Sequence, residues 1–478
     1  MLAACRRTGK VRPFVCGKIV MRPAALAALL TFAVTGAAHA QQAAPPPGDT
    51  PFLHDIAAAP SAARIEADVR TLVGFGTRHT LSETGSATRG IGAARRWVHA
   101  EFERISAACG GCLEVMYVGD TYTGARVPTP SEVVSVVAIQ RGTTDPNRYV
   151  LMGGHLDSRV SDVMNTTADA PGANDDGSGV AGTIEAARIL SQRKFPGSIV
   201  YVAFAGEEQG LVGAQIVAKK AKDENWRLVG VLNNDMIGNT RGIGGQTDNG
   251  AVRVFSDALR QTETEAEARQ RRLTGGEVDG PNRNLARYVD RMADRYIPNL
   301  DVMMVYRLDR FGRGGDHRAF NDAGFPGVRI VETLENYDRQ HQDLRTDNGR
   351  AYGDVIEGVD FAYAAKVTAL NVVSLAALAS APPPPAEVTI GGAVSPDTTL
   401  KWTRPPAAQA PNLAGYRIYW RLTTEPQWTH SRWVGDVTEF TLSNMIIDNW
   451  FFGVSAVAKD GTESPVVFPG AAGTFGGY

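Results

Sequence analysis

The first forty residues contain no aspartate or glutamate, although the whole chain of 478 residues carries 51 acidic side chains. What they contain instead is Arg6, Arg7, Lys10, Arg12, Lys18 and Arg22, then the apolar run AALAALLTFAV, then Ala38-His39-Ala40. A basic start, a short apolar stretch and a small-residue cleavage site form the three parts of a signal peptide. Residues 1–40 are therefore expected to leave on export, to a periplasmic or secreted destination. Met21 alone would open a conventional leader, so the start lies at Met1 or Met21. The apolar run is too short to span a bilayer, and no later stretch is expected to do so. Without the leader's cations the balance is 43 basic against 51 acidic groups, which argues against a nucleic-acid partner.

Cysteine is scarce as well. Of four cysteines, Cys5 and Cys16 fall in the leader, leaving Cys109 and Cys112 in AACGGC. A zinc ribbon needs a second pair. A redox dithiol needs its first cysteine at a helix N-terminus, where the dipole lowers the thiol pKa. Here Cys109 closes a helix instead, because Ile91, Ala94, Val98, Phe102 and Ile105 recur at helical spacing before it, and Gly110-Gly111 reads as its stop. A structural disulfide is the expectation for an exported chain.

No internal repeat is present. A hydrophobic content of 43% with 21% charged residues is that of a globular protein, and the length exceeds one ordinary core. Residues 41–63 read as an N-terminal tail, loose over QQAAPPPGDTPF. From 64 to 378, helical patterns such as 178–193 and 281–295 alternate with buried-strand patterns at 133–140, 148–154, 198–204, 228–235, 301–306 and 327–332. That alternation predicts an α/β domain with a mainly parallel central sheet covered by helices on both faces. Residues 379–387 read as a stiff Pro-rich linker. Residues 388–478 change to short alternating strands with Trp402, Tyr416, Tyr419 and Phe452. This part resembles a fibronectin type III sandwich.

The chemistry lies where the predicted strands stop. Open α/β sheets bind ligands outside the carboxyl ends of their strands. RYVLMGG runs into His155-Leu156-Asp157, IVYVAFAG into Glu207-Glu208, and VGVLNN into Asp235, while the loop GANDDGSG carries Asp175 into a helix. His341 follows the last strand. Singly, each has an ordinary reading: a surface loop for His-x-Asp, a helix cap for Asp-Asp-Gly, a dipole partner for Glu-Glu. Jointly they predict a metal site, and imidazole mixed with carboxylate suits zinc better than magnesium or calcium. Five donors serve two ions only if one carboxylate bridges.

The set GGHLDS, GANDDGSG, FAGEEQGLVG, NNDMIG and the late His341 resembles the co-catalytic two-zinc exopeptidases of the bacterial leucyl aminopeptidase type, metallopeptidase family 28, over residues 65–375. The resemblance implies two Zn2+ per chain, with His155 and Asp235 on one, Glu208 and His341 on the other, and Asp175 bridging. It further implies Glu207 as general base, Asp157 as the carboxylate orienting a ligand histidine, and peptides as substrates. Gln340 stands where relatives often carry an oxyanion-stabilising tyrosine; the nearest tyrosine is Tyr337. Removal of N-terminal residues is the expected activity. The alternatives are a carboxypeptidase or dipeptidase with the same metals, a glutaminyl cyclase, and a non-catalytic binding protein.

Overall fold

A computed structural model describes residues 44–259 and 261–470, so the expected leader with Cys5 and Cys16 lies outside the described residues. Eight strands form the main sheet: β1 (Leu113–Gly124), β2 (Val127–Gln140), β3 (Asp145–His155), β4 (Gly197–Phe204), β5 (Arg227–Asn234), β6 (Ala251–Phe255), β7 (Asp301–Val305) and β8 (Gly327–Glu332). Their order is β1-β2-β4-β3-β5-β8-β6-β7. The centre, β4-β3-β5-β8, is parallel, whereas β1-β2, β2-β4 and β8-β6 are antiparallel. The sheet is thus mixed at its margins and parallel where the predicted site residues emerge.

Side-chain alternation explains how both faces are covered. On β4, Ile199, Tyr201 and Ala203 enter one core, and Val200, Val202 and Phe204 enter another. The first core is closed by α1 (Pro51–Ala57), α3 (Gly90–Ala108), α4 (Gly177–Leu190), α7 (Pro281–Tyr296) and α9 (Phe361–Ser380), with α2 (Ala62–Gly74) packed against α4 and α9. The second is closed by α5 (Val212–Asp223) and α8 (His317–Asp322). The surface helix α6 (Glu265–Thr274) contributes no buried residue.

Two boundaries differ from expectation. Residues 51–57 are not a loose tail: Pro51 opens α1, a position where its missing N–H costs nothing, and Leu53 and Ile56 are buried against the core. The Pro-rich segment is not a solvent-exposed spacer either. Helix α9 continues to Ser380, residues 381–385 are buried, and Arg148 donates to the carbonyls of Leu378 (2.7 Å) and Ala379 (3.2 Å). Four prolines offer no backbone donors, so the segment can be buried with few amides left to satisfy. Among the described residues α9 alone is long and apolar enough, by length and composition, to cross a membrane; it is mostly buried within the first core.

A two-stranded ribbon, β9 (Arg345–Asp347) and β10 (Arg350–Tyr352), follows β8. Beyond α9, β11 (Ala386–Gly391), β12 (Thr398–Thr403) and β15 (Glu439–Leu442) form one three-stranded sheet. A second consists of β14 (His430–Gly435), β13 (Leu413–Leu422) and β16 (Trp450–Ala458). Trp402 and Leu400 from the first meet Tyr416, Ile418 and Val454 from the second in one core. This sandwich docks on α7 through buried polar contacts. Asp279 accepts from Arg287 Nη1 (2.6 Å) and takes both carboxylate oxygens to Arg421 (2.7 and 2.8 Å), while Trp428 Nε1 donates to Asn284 (3.1 Å). The sulfurs of Cys109 and Cys112 are bonded at the end of α3.

Candidate metal centre

Each predicted donor sits at the carboxyl edge of the parallel strands. His155 is the last residue of β3, Glu207 and Glu208 follow β4, Asp235 follows β5, and Asp175 lies in the loop into α4. His341 comes from the loop between β8 and β9 in a left-handed conformation (φ 54°). The structure brings all five predicted metal donors together. His155 Nε2 lies 3.0 Å from Asp175 Oδ1 and 3.8 Å from Asp235 Oδ1. His341 Nε2 lies 3.0 Å from Asp175 Oδ2 and 2.8 Å from Glu208 Oε1. The two oxygens of Asp175 therefore face two different imidazoles. His155, Asp175 and Glu208 alone already offer ligand atoms within 4.8 Å of one another.

The donors are held by a further set of groups, most of them buried. Asp176, next to the bridging candidate, accepts from the backbone amides of His155 (2.9 Å), Gly179 (3.0 Å) and Met236 (3.1 Å), tying three loops to one buried carboxylate. Here the helix-cap reading of Asp-Asp-Gly holds beside the metal reading. The approach is close enough to require glycine at 179, where a Cβ would come within 2.4 Å of that carboxylate. Asp354 accepts from the amides of Asn174 (3.0 Å) and Asp175 (2.7 Å), and burial pushes its carboxyl up to about 7. Arg329 Nη2 lies 2.8 Å from Asp235 Oδ2. Arg159 Nε donates to Glu208 Oε2 (2.7 Å), and its Nη2 lies 2.6 Å from His341 Nδ1. A readable signal existed for Arg329, a cation inside the otherwise apolar strand GVRIVE. Asp354 had none.

Asp157 does not orient His155 through its carboxylate. His155 Nδ1 is 2.9 Å from the Asp157 backbone carbonyl and 3.8 Å from its side chain. The buried carboxylate instead accepts from the amides of Glu207 (3.2 Å) and Glu208 (3.1 Å) and from Thr80 Oγ1 (2.9 Å). Its contribution is to fix the Glu207-Glu208 loop. Tyr337 is exposed, and Gln340 is buried beside Arg310 and Glu335.

The electrostatics are those of a site built for cations. Burial disfavours a charged imidazole at His155, yet hydrogen bonds to Asp175 and Asp235 hold it well above its ordinary value. At His341 burial is likewise outweighed, by Glu208 and Asp175, and its value rises to about 9. Burial pushes Glu207 well above the usual carboxylate range, with Glu208, Asp235 and Asp316 adding repulsion. Asp316 is pushed up to about 8, and its carboxylate finds no hydrogen-bond partner among the described residues. So many buried carboxylates around two imidazoles are costly without positive charge between them. The donor chemistry, two imidazoles and three carboxylates, fits zinc.

Such a cluster at the strand ends of the sheet is a candidate zinc centre on an α/β fold. The model of peptidase family M28 matches residues 135–357. A protein of Leptosphaeria maculans named "probable zinc metalloprotease" is 45% identical over 413 residues, 86% of this chain and 94% of that one. Another so named, from Pyricularia oryzae, is 44% identical over 85% of this chain and 82% of its own. The chain belongs to peptidase family M28. In fold it is similar to the LapA aminopeptidase of Legionella pneumophila, with a TM-score of 0.50 at 21% identity, covering 69% of this chain and 72% of that one.

Proposed function

We propose that the protein is an exported two-zinc exopeptidase that removes N-terminal residues from peptides. The observation that carries this reading is the placement of Asp175, one oxygen 3.0 Å from each of two imidazoles. His155 and Asp235 would hold one zinc, Glu208 and His341 the other, and Asp175 both. When bound, such a pair supplies water activation and electrostatic stabilisation of a polarised carbonyl.

The protein's own residues do the rest. Glu207 lines the open cleft beside Glu208 and is fixed through its backbone by Asp157. A carboxyl raised by burial is suited to accept a proton from the attacking water and return it to the leaving amine. Arg159 and Arg329 hold Glu208 and Asp235 in place from outside the cluster. The sandwich of residues 388–470 we read as fibronectin type III-like and remote from the chemistry.

Metal analysis with a panel of aminoacyl nitroanilides tests the reading. The expected result is two zincs per chain and hydrolysis of substrates with a free amine. Efficient cleavage of acetylated dipeptides with a free C-terminus, and none of the nitroanilides, would make it a carboxypeptidase.

A further inference from the structure

Beside Glu207, Glu208 and His341 opens a cleft of about 500 Å3, within the range of small-ligand sites. Its lining is unusual for a site that takes apolar side chains: only Leu211 and Ala319 are apolar, whereas Arg126, Arg159, Arg313 and Arg318 are all present. These arginines come from three separate parts of the fold: the β1–β2 turn, the loop after β3, and the segment spanning the start of α8.

Their internal partners leave donors to spare. Arg159 is engaged by Glu208. Arg126 donates to the backbone carbonyl of Glu208 (2.8 Å) and forms no ion pair among the described residues. Arg313 lies 3.9 Å from Glu335, and Arg318 lies 3.6 Å from Asp322 across one exposed helical turn. The Arg318 pair, long and exposed on both sides, contributes little; Arg313, whose Nη2 is also 3.3 Å from the Gln340 amide oxygen, keeps part of its fork unused. By contrast, Arg310 of the same sequence cluster is committed to Glu335 at 2.9 Å. Guanidinium is charged at every working pH, and its planar fork matches a carboxylate in two parallel hydrogen bonds.

We infer that this cleft recognises a carboxylate on the substrate next to the bond that is cut, with Arg313 and Arg318 as its cationic wall. The inference rests on the peptidase reading above and adds a substrate class to it. A carboxylate there has two sources, an acidic side chain or the free C-terminus of a dipeptide.

Two substrate pairs separate these sources in the zinc-loaded full chain. One compares glutamyl with glutaminyl nitroanilide; the other compares Leu-Leu with Leu-Leu amide. One pair should favour its carboxylate member by about tenfold or more in kcat/KM, the scale of one charge-assisted pairing. In the Arg313→Gln/Arg318→Gln double variant that ratio should collapse, mainly through KM, and added salt should erode it in the natural chain. Circular dichroism checks that the variant is folded. If neutral substrates are cleaved and neither pair shows a preference, the inference falls and the peptidase reading stands. An equal loss on both members of a pair would also overturn it, because a structural role does that. Cleavage of N-acetylated dipeptides with a preserved carboxylate preference would instead overturn the aminopeptidase assignment and uphold the inference.

Discussion

The two halves of the donor cluster are built differently. His155 and Asp235 come directly off β3 and β5, and their side chains are 1% and 4% exposed. Each has a firm outer partner, the Asp157 carbonyl for His155 and Arg329 for Asp235. His341 comes from a loop, is 19% exposed, and is held from outside by Arg159, itself part of the open cleft. Asp175 joins the halves. A sheet delivers donors whose positions are paid for by the core, while a loop delivers a donor whose position depends on the site itself. The first half should therefore keep its metal more tightly than the second.

The largest effect should come from a residue belonging to neither half. Glu207→Gln is expected to lower kcat by about 10²–10⁴-fold while two zincs stay bound. Loss of a zinc in that variant would make Glu207 a donor and redraw the halves.

Next is a direct test of the asymmetry. Arg329→Met removes the partner of Asp235 and should weaken zinc binding in the buried half by about 10–100-fold, the scale of outer-sphere support at metal sites. Arg159→Gln should cost the exposed half less. Competition isotherms with a chelator measure both, and equal losses would abolish the distinction.

Per pH unit, the effect of acidity is smaller again. Metals bind neutral imidazole. In the metal-free protein His341 is raised from 6.5 to about 9, so the folded site holds a proton that the unfolded chain releases earlier. That proton stabilises the metal-free fold fully below pH 6.5, and the stabilisation is lost as pH rises through about 9. Zinc uptake displaces it, so apparent affinity in this half should fall by about tenfold per pH unit below that value. Calorimetric titration in buffers of different ionisation enthalpy counts the released protons. No pH dependence would mean that His341 is not a donor.

The same contrast explains what was legible in the sequence. Donors at strand ends could be read because an apolar run breaking into His155, Glu208 or Asp235 has no structural use. Strands β2–β5, β7 and β8 were readable as short apolar, β-branched runs. Strand β1 was missed because LEVMYVGDTYTG is buried only at Leu113 and Val118, and β6 because AVRVF is short and carries Arg253. Asp354, which fixes Asp175 through backbone amides 179 and 180 residues away in sequence, is invisible to any local pattern. The aminopeptidase expectation leaned on an acidic excess. Yet the structure turns Asp157 inward onto amides and lines the cleft with arginine.

Asp279 has a consequence beyond packing. It stands before α7 with both oxygens on Arg421 of the sandwich, so one buried charge is shared by two parts that the proline-rich sequence makes look separable. Cutting the chain near Ala381 would remove Arg421 and leave Asp279 paired with Arg287 alone, opening a buried contact between the two parts to water. The catalytic part and the sandwich then behave as one cooperative folding unit, and differential scanning calorimetry should record a single endotherm. Two resolved endotherms would mean that the sandwich is an independent passenger.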